Sequence, residues 1–467
     1  MKLVGLVAAL LILPTPVSAS AVSSCTTTTS LGVIAGRPAD SQCVYRGIRY
    51  ATASRQQPPV PAKPWSGTFQ TTDSSAVCPQ FRDDTSEEYP DDKPIYLNED
   101  CLDLNVWAPR TRGKHPVMVF IHGGAARFGT GNEPRYSGAN LARDTVVVTI
   151  NYRLGLLGAD NNFLRDQITA LEWVQSHIGS FGGDPHNVTA VGQSEGAFSL
   201  SAMLATDNPQ RLFRRVVLQS GSGYMVQSQP RPPVDLTGMS TLEILQLQEK
   251  LVGGDSLTGA VYFGPYVDGK LVPQPVIDAV RAGNARGIDL LTGSTRDEMH
   301  YFAQFDPGIL DMTLDQYRAF FPPQLNLDAV ARVYLNDVLA MLTDQAMRVP
   351  ATRLAEAQSR WARTYVYQFN WGPAVHTAEL PFVFGTMSFT GIPGGAEAFR
   401  ADPHGARMLS SQMRQAWTSF VQTGNPGWPG YRSGRITKLW NSPPSLVPAP
   451  GEAERAAWDA FDFRHFV

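Results

Sequence analysis

Charge is scarce and balanced in this chain. Only 17% of its 467 residues are Asp, Glu, Lys or Arg, the net charge is −3, and no basic run occurs anywhere. Nothing here would hold a polyanion, so nucleic acid is excluded as a partner. Cysteine is scarce too: Cys25, Cys43, Cys78 and Cys101, with no C-x-x-C spacing to suggest zinc or dithiol redox work. Long apolar runs are missing. The longest, Leu3 to Leu13, is too short to span a bilayer, so no integral membrane segment is expected. Internal repeats, heptads and low-complexity tracts are also absent.

The ends of that apolar run are informative. Lys2 precedes it, and Ala19-Ser20-Ala21 offers small residues at an A-x-A spacing, so residues 1–21 are predicted to be a cleaved secretory signal. Val22-Ser23-Ser24-Cys25 resembles a lipobox, but Pro14 and Pro16 end the apolar run well before Cys25, which favours a soluble, exported form. An even number of cysteines in an exported chain predicts two structural disulfides, with three possible connectivities. Residues 22–467 are predicted to form one domain; the proline-rich stretch Pro58 to Pro64 is read as a loop within it.

What recurs is a short β-rich run ending in a glycine-rich or polar turn: Pro116–Ile121, Thr145–Ile150, Val188–Val191, Val216–Leu218, Leu290–Thr292 and Tyr365–Phe369. Helical patterns lie between several of them. Leu164, Ile168, Leu171, Val174 and Ile178 share one helix face, and Leu242 to Leu251 reads similarly. Alternating strands and helices predict a largely parallel, doubly wound sheet, with the site outside the carboxyl ends of its strands. Residues 222–262 and 303–350 are predicted to be helical insertions walling a pocket above that sheet.

Chemistry-bearing residues fall at those strand ends. Val188–Val191 is followed by Gly192-Gln193-Ser194-Glu195-Gly196 and a helix-compatible stretch, the strand–turn–helix context of a nucleophile elbow with Ser194 at its tip. Acyl transfer also needs a base, an acid to orient it, and donors for the oxyanion. The run ending at Ile121 leads to His122-Gly123-Gly124, the run ending at Thr292 to Asp297-Glu298, and the run ending at Phe369 to His376. Among the other histidines, His115, His177, His404 and His465 are predicted to be solvated. His122 and His186 have loop roles, and His300 lies at a rim.

With those residues assembled, the chain resembles the type-B carboxylesterases, the family of cholinesterases and bile-salt-activated lipases. The similarity runs from about Gly32 to Tyr431 through Glu99-Asp100-Cys101-Leu102-Asp103-Leu104-Asn105-Val106, Asn151-Tyr152-Arg153-Leu154-Gly155, Phe181-Gly182-Gly183-Asp184-Pro185, Gln219-Ser220-Gly221-Ser222 and Gly424-Asn425-Pro426. The resemblance implies an α/β-hydrolase fold and a secreted serine carboxylesterase acting on small ester substrates without metal or organic cofactor. It implies a catalytic order Ser194, Glu298, His376, with oxyanion donors Gly124, Ala125 and the amide of Glu195. Asp297 is then a loop carboxylate. The resemblance also implies a Cys78–Cys101 disulfide, leaving Cys25 to pair with Cys43.

Departures from the family pattern are local. Ala125 stands for a third glycine, Gln193 for the usual glutamate, Glu195 for the usual alanine, and Phe163 for a glycine. Glu195, at a helix N-terminus where the dipole favours a carboxylate, is predicted to point away from the site. The short Glu298–His376 interval implies an open pocket and a broad substrate range. The acidic loop between Cys78 and Cys101 carries Phe81, Tyr89 and Tyr96 but no tryptophan, which argues against choline esters; its charge is read as a solvated face. Two other readings share these residues: a non-catalytic binding or adhesion member of the fold, which would typically lack a triad residue, and a lipase or peptidase using the same triad.

Overall fold

The computed structural model describes residues 24–71, 75–82, 93, 95–111, 113–223, 226–227, 233–253, 262–321 and 325–462. The predicted signal (1–21), His465, Tyr89 and most of the acidic loop lie outside them.

Eleven strands form the main sheet: β1 (Arg37–Ala39), β2 (Gln42–Arg49), β3 (Asp103–Pro109), β4 (His115–Ile121), β5 (Val146–Ile150), β6 (Gly183–Gln193), β7 (Arg215–Gln219), β8 (Asp289–Thr295), β9 (Thr364–Phe369), β10 (Ile436–Trp440) and β11 (Ser445–Pro448). Their spatial order is β11-β10-β9-β8-β7-β6-β4-β5-β3-β2-β1. From β5 across to β10 every neighbouring pair is parallel, whereas β1, β2, β3 and β11 pair antiparallel at the two edges. Central strands are apolar on both faces. In β4, Val117, Val119 and Ile121 enter one core while Met118 and Phe120 enter the other. That period-two division is why the central strands read as continuous hydrophobic runs.

Helices cover both faces. α1 (Asn162–His177) and α2 (Glu195–Met203) join the first core, through Leu164, Leu171 and Val174 and through Ala197 and Leu200. A third helix, α3 (Thr241–Val252), starts at a capping box in which the Ser240 hydroxyl accepts from the Glu243 amide and the Glu243 carboxylate accepts from the Ser240 amide. Its buried positions are Ile244, Leu245, Gln248 and Val252, so Leu242 and Leu251, which suggested the helix, face solvent at its ends. α4 (Val349–Gln358) lies beside β8 and β9. On the opposite face α5 (Pro403–Thr423), capped by Asp402, buries Leu409, Met413, Trp417 and Phe420. The described residues of 303–350 are mainly helical, in short turns around a core that includes Tyr317, Leu327, Val330 and Trp458.

Two disulfides, Cys25–Cys43 and Cys78–Cys101, tie the amino-terminal region to β2 and to the start of β3. No helix among the described residues is long and apolar enough to cross a membrane.

Candidate active site

Ser194 sits between β6 and α2 with φ 55° and ψ −125°, a backbone conformation that costs a non-glycine residue about 1–3 kcal/mol. Two glycines make the turn possible. A Cβ on Gly192 would lie 2.4 Å from the Gly196 carbonyl oxygen, and a Cβ on Gly196 would lie 2.1 Å from that of Ile121. The elbow can therefore fold against β4 only when both positions lack side chains. The Ser194 amide donates to Gln219 O at 2.9 Å, so the parallel ladder continues into the turn.

The acid loop and the base loop are stitched together in the same way. Arg296 N donates to Phe369 O at 3.0 Å, and Asp297 N donates to Ala374 O at 2.9 Å. These bonds bring the segment after β8 beside the segment after β9. The Glu298 carboxylate is fully buried. One oxygen lies 2.5 Å from His376 Nδ1, and the other accepts from the Ser220 hydroxyl at 2.6 Å and from the Thr295 amide at 2.7 Å. Asp297, the neighbouring acid, instead pairs with Arg296 at the surface. Phe302 and Tyr301 pack on the His376 ring, with centroids at 5.3 and 5.6 Å.

At its other nitrogen, His376 meets an amide. Nε2 of Gln193 lies 3.1 Å from Nε2 of His376, and the Ser194 hydroxyl has no hydrogen-bond partner among the described residues. Glu298 and His376 are thus directly joined, and Ser194 lies one residue from the group that touches the ring.

The predicted oxyanion stretch bends sharply: Gly124, Ala125 and Ala126 have φ of 112°, 54° and 55°. A Cβ on Gly123 would stand 2.9 Å from Ser194 Cβ, so the loop passes directly over the serine. The backbone N–H groups of Gly124, Ala125 and Glu195 donate to no described group. His122 anchors the loop from below. Its Nδ1 lies 2.8 Å from Gly123 O, its ring stacks on Tyr152 at 4.4 Å, and its carbonyl accepts from the Tyr152 hydroxyl at 2.7 Å. Burial lowers the His122 pKa to about 4, so its ring is neutral at physiological pH.

Glu195, predicted to point away from the site, has a buried side chain; neither of its oxygens has a partner among the described residues, and burial pushes its pKa well up. A carboxyl without solvent or a cation keeps its proton. His177, expected in solvent, is half-buried against Trp173. Sequence reasoning assigned no role to Ser220, although it lies within the Gln-Ser-Gly-Ser segment, nor to Glu379, a second buried carboxyl. Gln219 donates to Glu379 at 3.1 Å, and burial together with the Glu298 charge raises the Glu379 pKa to about 7.

The profile described as "Carboxylesterase family" matches residues 23–241 and 234–442. The chain belongs to the carboxylesterase family. Within it, the chain is 34% identical over 455 residues to the para-nitrobenzyl esterase of Bacillus subtilis, covering 86% of this chain and 92% of that protein. It is 30% identical to the phenmedipham hydrolase of Pseudarthrobacter oxydans, covering 87% and 92%. The crystal structure of a Geobacillus stearothermophilus carboxylesterase at pH 6.2 superposes with a TM-score of 0.81 at 31% identity, covering 93% of this chain and all of that one. The fold is the α/β-hydrolase fold.

Proposed function

We propose that this carboxylic ester hydrolase works through Ser194, His376 and Glu298. His376 Nε2 takes the Ser194 proton as Oγ attacks the ester carbonyl, and then gives that proton to the leaving alcohol. Water, deprotonated by the same nitrogen, attacks the acyl-enzyme, and the proton returns to Ser194 as the carboxylic acid leaves. Glu298 holds the ring with its proton on Nδ1 and balances the imidazolium charge. The amides of Gly124, Ala125 and Glu195 receive the oxyanion in both halves.

The observation that carries this reading is the buried Glu298–His376 contact of 2.5 Å beside a serine held at φ 55°. The three unpartnered amides nearby support it. Export as a single domain of residues 22–467 after loss of 1–21 is part of the same proposal, supported by the two disulfides. Small-molecule carboxylic esters are the proposed substrates. Para-nitrobenzyl esters are the first to test, given the name of the Bacillus subtilis relative.

The test compares the wild type with Ser194→Ala on a graded series of p-nitrophenyl esters, with a p-nitroanilide alongside. Turnover is expected to fall by at least about 10⁴-fold in the variant. Equal rates for the two proteins would remove Ser194 from the mechanism, and anilide cleavage rivalling ester cleavage would favour a peptidase.

A further inference from the structure

The atom that must accept the Ser194 proton is already engaged. Both Glu298 oxygens face donors: Oε1 faces the Ser220 hydroxyl and the Thr295 amide, and Oε2 faces His376 Nδ1. A carboxylate in that setting accepts at every contact, which fixes the ring proton on Nδ1 and leaves Nε2 as a bare lone pair. The group 3.1 Å from that lone pair is the side-chain amide nitrogen of Gln193, which donates to it.

Gln193 is held in this position. It is 2% exposed and is the last residue of β6, paired in the ladder with Gln219. Its Oε1 is pressed under the oxyanion loop, 3.0 Å from where a Cβ on Gly123 would stand. An exposed glutamine would move freely among rotamers, whereas this one is confined between the base and the loop. Its chemistry also matters. An ionised glutamate here would have no hydrogen to give to the bare nitrogen, whereas an amide has two.

We propose that Gln193 is a latch on the general base: in the resting enzyme its N–H occupies His376 Nε2, and it must swing off before Ser194 can pass its proton to the ring. The proposal rests on the triad reading above and adds a step before acylation. Gln193 on this account acts through His376: its only contact with the reacting groups is the hydrogen bond to Nε2, and it takes no proton and forms no bond with substrate. Breaking one buried neutral hydrogen bond ahead of acylation slows it by about 2- to 10-fold.

Two measurements test the latch. Gln193→Met keeps the length of the side chain and removes both donors. Wild type and variant are reacted with diisopropyl fluorophosphate, which phosphorylates an activated serine with loss of fluoride, and with p-nitrophenyl acetate in a rapid-mixing burst experiment. The bimolecular labelling constant and the acylation rate are expected to rise about 2- to 10-fold in Gln193→Met, with KM changed less than about 2-fold. Labelling at the wild-type rate or below it, in a folded variant, overturns the latch. The second measurement does not require the variant. In ¹⁵N-histidine-labelled wild type, the His376 Nε2 resonance should lie where a hydrogen-bonded imidazole nitrogen lies, and a free-nitrogen position overturns the latch. Wild type that is not labelled at Ser194 at all overturns the triad reading itself, an outcome distinct from equal labelling of the two proteins.

Discussion

Glu379 lies three residues beyond His376, and burial together with the charge of Glu298 raises its proton affinity, so two buried carboxyls lie near one imidazole. Only Glu298 is directly bonded to the ring; Glu379 is held by Gln219 and keeps one oxygen without a partner. With a pKa of about 7 in the native state and about 4.5 once unfolded, Glu379 holds a proton over that window which the unfolded chain has released. Native stability is therefore lost as pH rises from about 4.5 to 7, by at most about 3 kcal/mol, and the loss levels off above 7. Glu379→Gln should remove this slope. Urea titrations of both proteins between pH 4.5 and 8 check it: the variant should gain on the wild type as pH rises, and a constant gap would contradict the assignment.

Glu195→Leu is expected to stabilise the protein, increasingly so above pH 5. Its carboxyl is buried without a partner, and its raised pKa makes the wild type pay to ionise it or to keep it protonated as pH rises above 4.5. Thermal unfolding at pH 5 and pH 8 reads the difference. A variant less stable than wild type at pH 8 would mean that the carboxyl has a partner.

Ser220→Ala removes one of the three hydrogen bonds that hold Glu298. A drop of about 10-fold in kcat with KM little changed is expected. Glu298→Gln should cost about 10⁴-fold, because an amide no longer fixes the proton on Nδ1. Steady-state kinetics on p-nitrophenyl acetate distinguishes the two, and equal losses would contradict a supporting role for Ser220.

Gly124→Ala would place a Cβ 2.2 Å from the Phe128 carbonyl oxygen at a φ of 112°. The loop must then shift, turning its amides from their present direction, and turnover should fall by about 10²–10³-fold. Ala125→Gly leaves the loop free to keep its shape and is expected to stay within about 3-fold of wild type. Parallel kinetics on the two variants tests whether loop geometry, rather than glycine content, matters.

The Cys25–Cys43 bond closes a loop with a sequence separation of 18. Replacing both cysteines by serine should lower unfolding free energy by about 3 kcal/mol on the chain-entropy account. Urea unfolding of the double variant measures it, and no loss would mean that the unfolded chain is already restricted in this region.

The central sheet could be read from the sequence because its strands are buried on both faces and therefore appear as unbroken apolar runs, Val117 to Ile121 being the plainest. The edge strands could not be read in that way. β2, Gln42–Arg49, mixes Gln, Tyr and Arg with its apolar residues, and β11 is largely exposed. Each candidate catalytic residue was legible because it follows a strand within a short motif. The partners of those residues were not: Ser220 reaches Glu298, and Gln193 reaches His376, only through the order in which strands lie in space. The burial of Glu195 was not legible for a related reason, since position at a helix N-terminus says nothing about what is packed above it.

Ser194, Ser220, Glu298 and His376 follow β6, β7, β8 and β9, four strands that lie side by side in that order. Hydrogen-bonded strands keep a spacing of about 4.8 Å, so the distances between these residues are set by the sheet itself. The segments that leave and return between those strands can lengthen, shorten or change sequence while the anchoring points stay put. A chain built this way can alter which molecules it admits by rewriting its connections, with the proposed catalytic residues left in place.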